Sequence, residues 1–267
     1  MEKIFVNITS YLDTGLVDTL GDLFRKADNP SELRVVVINK ACEGDKDTQG
    51  VNYPELEVYN SPLDESPIKS NLKGQSKMKG EKIYFQCDPH SRFVDGWDTF
   101  IRQTVKPKTL FNPATMSFEI KNCEETYNDT PVCFQVYEFN PQDIAVTYGV
   151  SCAEYRQKAF FCSNCVFCYS DWLKEVPIDE RIYNWGDEVD RSIRTLMAGW
   201  KIFNTKPILW HDWKGVGEGR RGGRVRKGHE QENEAAYEVL RKKLFGKEEK
   251  LPWDLKFYMQ EMRRLKI

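Results

Sequence analysis

The sequence has 267 residues, of which 40% are hydrophobic and 13% aromatic, and its formal net charge is −2. This length and apolar content allow a substantial core and exclude global disorder. The charge balance gives no global indication of nucleic-acid binding. No apolar run reaches the roughly 18 residues of a membrane-spanning helix, and the N-terminus lacks a signal peptide's long apolar stretch. We therefore expect a cytoplasmic protein with no membrane partner.

The N-terminal part alternates strand-like and helix-like segments. Residues 3–8 and 33–39 are apolar runs typical of buried strands, and residues 17–27 between them have helical spacing. This βαβ unit predicts a parallel sheet that binds ligands at the carboxyl ends of its strands. A short strand is predicted at 55–59. The lysine-rich segment 61–80 is either a short helix or a loop over the site.

A carboxylate and an imidazole follow the apolar run 83–86, at Asp88 and His90. Alone, Asp-x-His is more often a turn residue and a surface histidine. However, the chain has three histidines, and a second one, His211, also follows a strand-like apolar run. Two of three histidines at equivalent strand ends favour a shared metal site. Mixed oxygen and nitrogen ligands suit Mn²⁺ or another borderline divalent ion better than Ca²⁺.

Two further carboxylates, Asp187 and Glu188, open a predicted helix that Gly199 ends. The predicted apolar face of this helix carries Val189, Ile193, Leu196 and Met197. Two interpretations stay open. Carboxylates are favoured at a helix N-terminus by the macrodipole. Alternatively, a carboxylate at the mouth of a cleft orients or deprotonates an acceptor hydroxyl.

Three of the eight cysteines form the series Cys162, Cys165 and Cys168. This spacing resembles part of a zinc or iron–sulfur site. No fourth ligand is obvious, Cys152 being the nearest candidate. We favour the interpretation that these cysteines are small buried hydrophobes in the run 159–168, which contains a strand predicted over 160–167.

The second half mixes strand-like pieces with a basic loop. Residues 112–145 predict the antiparallel half of the sheet. The Gly- and Arg-rich segment 214–229 predicts a basic loop that closes over a diphosphate, grips a nucleic-acid backbone or is a solvated linker. Residues 230–267 predict a helical extension, with helices over 230–245 and 253–267, packed on the same domain.

Several motifs together resemble glycosyltransferase family 60, whose best-known members are cytoplasmic hydroxyproline GlcNAc transferases. The matching segments, in family order within residues 3–215, are Ile4–Asp13, Asp88–Asp98, Glu175–Asp179, Trp185–Glu188, Gly199 and His211. The resemblance implies an α/β, GT-A-type fold with a Rossmann-like mixed sheet and C-terminal helices. Residues 1–213 are then the catalytic domain.

The resemblance also implies the chemistry: a UDP-sugar donor, a divalent metal, usually Mn²⁺, a hydroxyl acceptor on a protein side chain or glycan, and retention of anomeric configuration. The metal ligands it implies are Asp88, His90 and His211. The residues it implies for donor binding are Thr9, Tyr11, Asp13, Asp88, His211 and Lys214. The acidic pair beside the acceptor is Asp187 and Glu188, to which we assign the catalytic role.

The sequence departs from the family pattern at three places. Pro89 stands where we expect serine, and Leu12 stands where we expect arginine. Ser70–Asn71 or a nearby lysine stands where an Ala-Arg pair would help to hold the diphosphate. Two alternative functions stay open. One is transfer to hydroxymethylated bases in DNA, which the compact chain and basic loop would suit. The other is a non-catalytic zinc- or nucleic-acid-binding module.

Overall fold

The computed structural model describes residues 1–40, 51–122, 124–138, 146–151, 155–182, 186–213 and 229–245. Thirteen strands are described: β1 Ile4–Tyr11, β2 Leu33–Lys40, β3 Leu56–Asn60, β4 Ile83–Cys87, β5 Ser91–Phe93, β6 Thr109–Phe111, β7 Thr115–Lys121, β8 Glu124–Glu138, β9 Val146–Ser151, β10 Gln157–Lys158, β11 Cys165–Tyr169, β12 Lys201–Phe203 and β13 Leu209–His211. The described α-helices are α1 Leu16–Lys26, α2 Pro67–Gln75, α3 Trp97–Thr104, α4 Asp171–Glu175, α5 Asp187–Met197 and α6 His229–Phe245. Within these residues, no helix combines the length and the apolar character needed to span a membrane.

The main sheet has eight strands in the order β10-β12-β6-β11-β4-β1-β2-β3. Strand β1 is parallel to both β2 and β4, and β3 is parallel to β2, which confirms the predicted βαβ start. On its other side β4 pairs antiparallel with β11. Strand β4 therefore lies at the boundary between a parallel half and a mixed half, and its carboxyl end opens at that boundary.

Both faces of this sheet are covered, as the continuously apolar strands predicted. Alternate residues of β1 enter different clusters, because successive side chains of a strand point to opposite faces. Ile4, Val6 and Ile8 pack with the buried residues of α1 and α3. Phe5 packs on the opposite face, in the cluster that contains Trp172 of α4.

The strands of the segment 112–145 differ from the prediction. Strands β7 and β8 of this segment join β5, β9 and β13 in a separate five-stranded sheet, in the order β5-β13-β7-β8-β9, rather than forming the antiparallel half of the main sheet. The long strand β8 pairs antiparallel with β7 on one side and β9 on the other. The mixed half of the main sheet consists instead of β6, β10, β11 and β12.

Other boundaries and faces also shift. The strand predicted over 160–167 starts at Cys165, because the backbone before it bonds to the Asn112 side chain instead of a strand partner. The segment 61–80 contains helix α2, one of the two predicted alternatives. Met197 is 59% exposed rather than on the buried face, since α5 ends there and the chain turns through Gly199.

The cysteine series lies in and beside β11. Cys165 and Cys168 are completely buried there, and burial raises the pKa of both thiols well above the usual range. A protonated thiol is a poor metal ligand because metals bind the thiolate. Within the described residues these cysteines form no metal-binding group. The burial of Cys165 and Cys168 agrees with the interpretation that they are core residues, whereas Cys162 is only partly buried.

Candidate metal and donor site

Three side chains converge at the carboxyl end of β4. Asp88 and His90 lie in the turn between β4 and β5, and His211 is the last residue of β13. The His211 Nε2 atom lies 2.8 Å from Asp88 Oδ2 and 3.1 Å from His90 Nε2. The His90 Nε2 and Asp88 Oδ2 atoms lie 3.5 Å apart, so the three atoms form a small triangle. The structure thus brings together the three metal ligands that the sequence predicts.

This group fits a divalent transition-metal ion. Its three ligand atoms all lie within 4.8 Å of one another, and no other described residues form such a group. Two imidazole nitrogens and one carboxylate oxygen are a donor set suited to Mn²⁺ or a similar ion. The histidine side chains are only 11% and 3% exposed, whereas that of Asp88 is 39% exposed. The site is therefore open on the side of Asp88, where a substrate oxygen can approach.

The charges of the site favour a cation. Partial desolvation opposes ionisation of Asp88, yet hydrogen bonds from His211 and His90 hold its pKa well below the usual range. Burial likewise opposes protonation of His90, but Asp13 and Asp88 raise its pKa to about 9. The carboxylates that favour the proton on His90 would also favour a metal cation, which must displace that proton from the imidazole nitrogen in order to bind.

Asp13 lies behind His90 and orients its ring. The Asp13 Oδ2 atom lies 2.8 Å from His90 Nδ1, and Asp13 Oδ1 accepts a hydrogen bond of 2.9 Å from the Gly15 amide. A carboxylate in this position keeps the proton on Nδ1 and leaves Nε2 free for a metal. The resemblance implied a role for Asp13 in donor binding. The structure places it 5% exposed against His90, and it does not line the cleft.

Helix α1 holds the metal-site turn through Thr19, which sequence reasoning missed. The fully buried Thr19 hydroxyl donates to the carbonyl oxygens of Pro89 and Ser91, at 2.7 and 3.0 Å. It also accepts the Ser91 amide at 2.9 Å. One buried hydroxyl therefore satisfies the backbone on both sides of His90 and limits its movement.

A cleft of about 270 Å³ crosses the edge of the main sheet beside Asp88. Its lining residues are Thr9, Tyr11, Lys40, Pro67, Ile68, Asn71, Gln86, Cys87, Asp88, Ser163, Gly186, Asp187 and Glu188. The predicted residues Thr9, Tyr11, Asp88, Asp187 and Glu188 all belong to this lining. The polar lining residues to which sequence reasoning gave no site role are Lys40, Asn71, Gln86 and Ser163.

One end of the cleft combines an aromatic ring with a cation. Lys40 Nζ lies 5.3 Å from the centre of the Tyr11 ring and donates to the Glu65 carbonyl oxygen at 3.0 Å. Asn71 of α2 lines the same end, in the segment where the resemblance leads us to expect arginine. Thr9 Oγ1 is buried without a hydrogen-bond partner in the described part of the chain. We name this the Tyr11–Lys40 end.

The other end carries the predicted acidic pair, at the N-terminus of α5; we name it the acidic end. Gly186 precedes the helix with a φ of 99°, a conformation that glycine adopts without strain. Asp187 is 3% exposed, and its Oδ2 atom lies 3.6 Å from Arg191 Nη1. Asp187 Oδ1 has no hydrogen-bond partner among the described residues. Glu188 Oε1 accepts hydrogen bonds of 2.5 Å from the Ser163 amide and hydroxyl.

Burial raises the pKa of both carboxyl groups at the acidic end. For Asp187, the nearby Arg191 opposes this increase, and for Glu188 the two hydrogen bonds from Ser163 oppose it. The acidic end therefore offers strong hydrogen-bond acceptors in a partly desolvated setting. Such acceptors pair well with hydroxyl groups.

The remaining predicted site residue lies outside the described residues. This residue is Lys214. Residues 215–228 of the basic loop and the helix predicted over 253–267 also lie outside the described residues. The helix predicted over 230–245 is present as α6, whose Ala236, Leu240 and Leu244 are buried against α5 residues Val189 and Ile193. The division into a domain of residues 1–213, a loop and a helical extension stays a prediction.

Comparison with known proteins identifies the sequence family. A family model described as "Glycosyltransferase (GlcNAc)" matches residues 3–76 and 74–221, most of the chain. No curated protein matches the sequence.

Solved structures resemble this fold at low sequence identity. GalNAc-T7, solved with UDP, GalNAc and Mn²⁺, has a TM-score of 0.65 at 11% identity; the match covers 80% of this chain but only 43% of GalNAc-T7. TarS residues 1–349 from S. aureus, solved with UDP-GlcNAc, have a TM-score of 0.59 at 13% identity, covering 98% of this chain and 71% of that one. A mannosyltransferase from Pyrobaculum calidifontis, solved with GDP-Man and Mn²⁺, has a TM-score of 0.57 at 14% identity, covering 99% and 70%. The chain has the GT-A fold of these glycosyltransferases and belongs to the GlcNAc glycosyltransferase family.

Proposed function

We propose that this protein is a metal-dependent glycosyltransferase that moves a sugar from a UDP-sugar to a hydroxyl acceptor. The observation that carries the proposal is the convergence of Asp88, His90 and His211 at the rim of the cleft. Membership of a glycosyltransferase family and similarity to structures holding nucleotides, nucleotide-sugars or Mn²⁺ support it. A divalent ion bound there would offset the negative charge that develops on the leaving diphosphate.

The contrast between the two ends of the cleft suggests how the donor lies. Asp88 lies between them, so the diphosphate belongs at the centre of the cleft. Tyr11 offers a ring on which a base can stack, and Lys40 adds a hydrogen-bond donor for base, ribose or phosphate oxygens. The carboxylates of Asp187 and Glu188 suit the hydroxyl groups of a sugar or acceptor. The nucleoside therefore occupies the Tyr11–Lys40 end, and the sugar occupies the acidic end.

We propose a retaining reaction at the acidic end. The bond from the anomeric carbon to the phosphate oxygen breaks, and a bond to the acceptor oxygen forms on the same face of the sugar. The acceptor proton passes to the leaving phosphate. Asp187 and Glu188 orient the reacting hydroxyl groups, which lowers the entropic cost of reaching the reactive arrangement.

The acceptor is a hydroxyl group on a protein side chain or a glycan. The DNA alternative depends on the basic loop at 214–229, nearly all of which lies outside the described residues, so no contact of the described chain supports it.

Nucleotide release from a panel of donors tests this function. Purified protein is incubated with UDP-GlcNAc, UDP-GalNAc, UDP-glucose, UDP-galactose and GDP-mannose, with Mn²⁺ or with EDTA. We expect Mn²⁺-dependent release of UDP from one UDP-sugar, since water can replace a missing acceptor. Loss of release in Asp88→Asn, with retention in Asp95→Asn, would assign the activity to this site, because the Asp95 side chain is 85% exposed. Absence of both release and nucleotide binding across the panel would contradict the proposal.

A further inference from the structure

The turn that precedes β11 is held by a single buried side chain. Asn112 is 2% exposed, and its amide nitrogen donates to the carbonyl oxygens of Cys162 and Cys165, at 2.9 and 2.7 Å. Its Oδ1 atom accepts the Cys162 amide at 3.0 Å and the Lys158 ammonium group at 2.7 Å. Because Asn112 bonds the backbone at both ends of the turn, the turn is fixed in shape. We name residues 162–165 the Asn112-clamped turn.

This turn connects the metal site to the acidic end. The Asn164 carbonyl oxygen accepts the Asp88 amide at 3.2 Å. The Ser163 carbonyl oxygen accepts from Gln86 Nε2, on the strand before Asp88, at 3.1 Å. On its other side, Ser163 donates its amide and its hydroxyl to Glu188. One short segment thus contacts the strand that presents a metal ligand and the helix that presents the acidic pair.

The two bonds from Ser163 end on the same oxygen atom of Glu188. Both donors lie 2.5 Å from Oε1, and they come from a residue 25 positions away in the chain. An ordinary turn serine bonds to its own neighbouring backbone instead. Two bonds to one oxygen restrict the side-chain torsions of Glu188, so the direction of its second oxygen, Oε2, is also restricted. Ser163 and Glu188 both line the cleft, where such a restriction affects a bound substrate.

We propose that Ser163 is a positioning residue for Glu188, acting from the Asn112-clamped turn to hold that carboxylate at a fixed spacing from Asp88. This inference rests on the proposed glycosyltransferase function. The amide of Ser163 would remain in any substitution, so the specific contribution of serine is its hydroxyl. Threonine at this position keeps the hydroxyl, and alanine removes it. The pair Ser163→Ala and Ser163→Thr therefore separates the hydrogen bond from the space that the side chain fills.

A double-mutant cycle tests the inference in the full-length protein with Mn²⁺ and the UDP-sugar that the donor panel selects. The variants are Ser163→Ala, Ser163→Thr, Glu188→Gln and the double variant Ser163→Ala/Glu188→Gln. We expect Ser163→Ala to lower kcat about 10-fold, the scale of one hydrogen bond to a charged group, with a smaller change in KM. Ser163→Thr should stay within about 3-fold of wild type. In the Glu188→Gln background, Ser163→Ala should have almost no further effect, because residues that act as a unit are not additive.

Three results would overturn the inference. The first is a kcat for Ser163→Ala equal to that of active wild type. The second is an equal loss from Ser163→Ala in both backgrounds, which would indicate a general structural role. The third is an equal loss in Ser163→Ala and Ser163→Thr. Absence of nucleotide release from wild type is a different result, because it overturns the proposed function and removes this inference with it.

Discussion

The metal site and the acidic end use the same chemical group in opposite electrostatic settings. At the metal site, the pKa of Asp88 is held well below its usual range by two histidines, despite partial desolvation. At the acidic end, burial raises the pKa values of Asp187 and Glu188, and their partners only partly oppose this. Neighbouring cations and hydrogen bonds prevail at the metal site, and desolvation prevails at the acidic end.

This difference shows how one cleft can hold two kinds of partner. The metal site carries a negative charge that its surroundings stabilise, as a cation site requires. The acidic end carries carboxylates that their surroundings destabilise, and these gain most from new hydrogen bonds with a bound hydroxyl group. Four substitutions test the contrast, and they run from the largest expected effect to the smallest.

Asp88→Asn removes the charge of the metal site while keeping its shape. We expect Mn²⁺-dependent nucleotide release to fall by about 10³-fold, since the substitution removes an anionic ligand and its effect on the leaving diphosphate. The rate of release at saturating donor concentration measures the effect. The control is Asp95→Asn, at a side chain that is 85% exposed and pairs with Lys26 on the surface. Wild-type turnover in Asp88→Asn would contradict the assignment of the metal site.

Gly186→Ala disturbs the backbone that presents the acidic end. Gly186 has a φ of 99°, and a Cβ atom there would lie 2.0 Å from Leu240 Cδ1 of α6. We expect the free energy of unfolding to fall by about 2–4 kcal/mol, from left-handed strain and overpacking together. Denaturant unfolding measures this change.

Two other glycines separate the causes of that destabilisation. Gly199 has a φ of 75° with no atom near a built Cβ, so Gly199→Ala reports the strain alone. Gly21 in α1 has open space at its Cβ and no positive φ, so Gly21→Ala should stabilise the protein by about 0.5–1 kcal/mol. A Gly186→Ala protein as stable as wild type would show that α6 does not pack against Gly186.

Asp13→Asn weakens the support of His90 without removing a ligand. We expect the affinity for Mn²⁺ to fall by about 10–100-fold, because the substitution loses the charge that orients and polarises the imidazole ring. Titration with Mn²⁺, followed by the electron paramagnetic resonance of the free ion, measures the affinity. Asp18→Asn is the control, since the Asp18 side chain is 64% exposed. An unchanged affinity would indicate that Asp13 serves the loop and not the metal.

Glu188→Gln should stabilise the fold near neutral pH while lowering activity. The folded-state pKa of Glu188 is raised above its usual value of 4.5. Its protonation therefore stabilises the protein below the unfolded-state pKa, and this stabilisation is lost as the pH rises through the raised value. The neutral glutamine avoids this loss. We expect a gain of about 0.5–2 kcal/mol at pH 7, the usual scale for relieving strain at an active site, and no gain below about pH 4.

Unfolding of wild type and Glu188→Gln across this pH range checks the sign. The exposed Glu180, changed to glutamine, is the control. A gain that persists at low pH, or a loss at neutral pH, would show that Glu188 is not a destabilised carboxylate. The contrast between the metal site and the acidic end would then disappear.

Local patterns in the sequence predicted much of the fold and the three side chains that converge at the carboxyl end of β4. The apolar runs of β1 and β2 and the helical spacing of α1 are short-range signals, and the structure has all three elements. Asp88, His90 and His211 were predicted because histidine is rare in this chain and both histidines end apolar runs. The rarity of the residue type carried the information that a short motif lacks.

The residues that hold the turn around His90 and the turn before β11 could not be predicted in this way. Thr19 contacts Pro89 across 70 positions, and Asn112 contacts Cys162 across 50. Neither periodicity nor composition encodes such contacts, because they arise only when the sheet brings distant segments together. For the same reason, the sequence did not show that the strands of the segment 112–145 belong to a second sheet.

The change of strand direction at β4 has a consequence for how such a protein can be altered. On the parallel side, the cleft is lined by residues from 9 to 71, and on the antiparallel side by residues from 163 to 188. Each side comes from its own continuous stretch of chain, with Asp88 between them. An exchange of residues 155–182 and 186–199 with those of a relative would therefore replace one wall of the cleft and leave the other wall and all three metal ligands in place. On the proposed placement of donor and acceptor, the fold assigns the nucleoside side and the acceptor side of the cleft to two separate stretches of sequence.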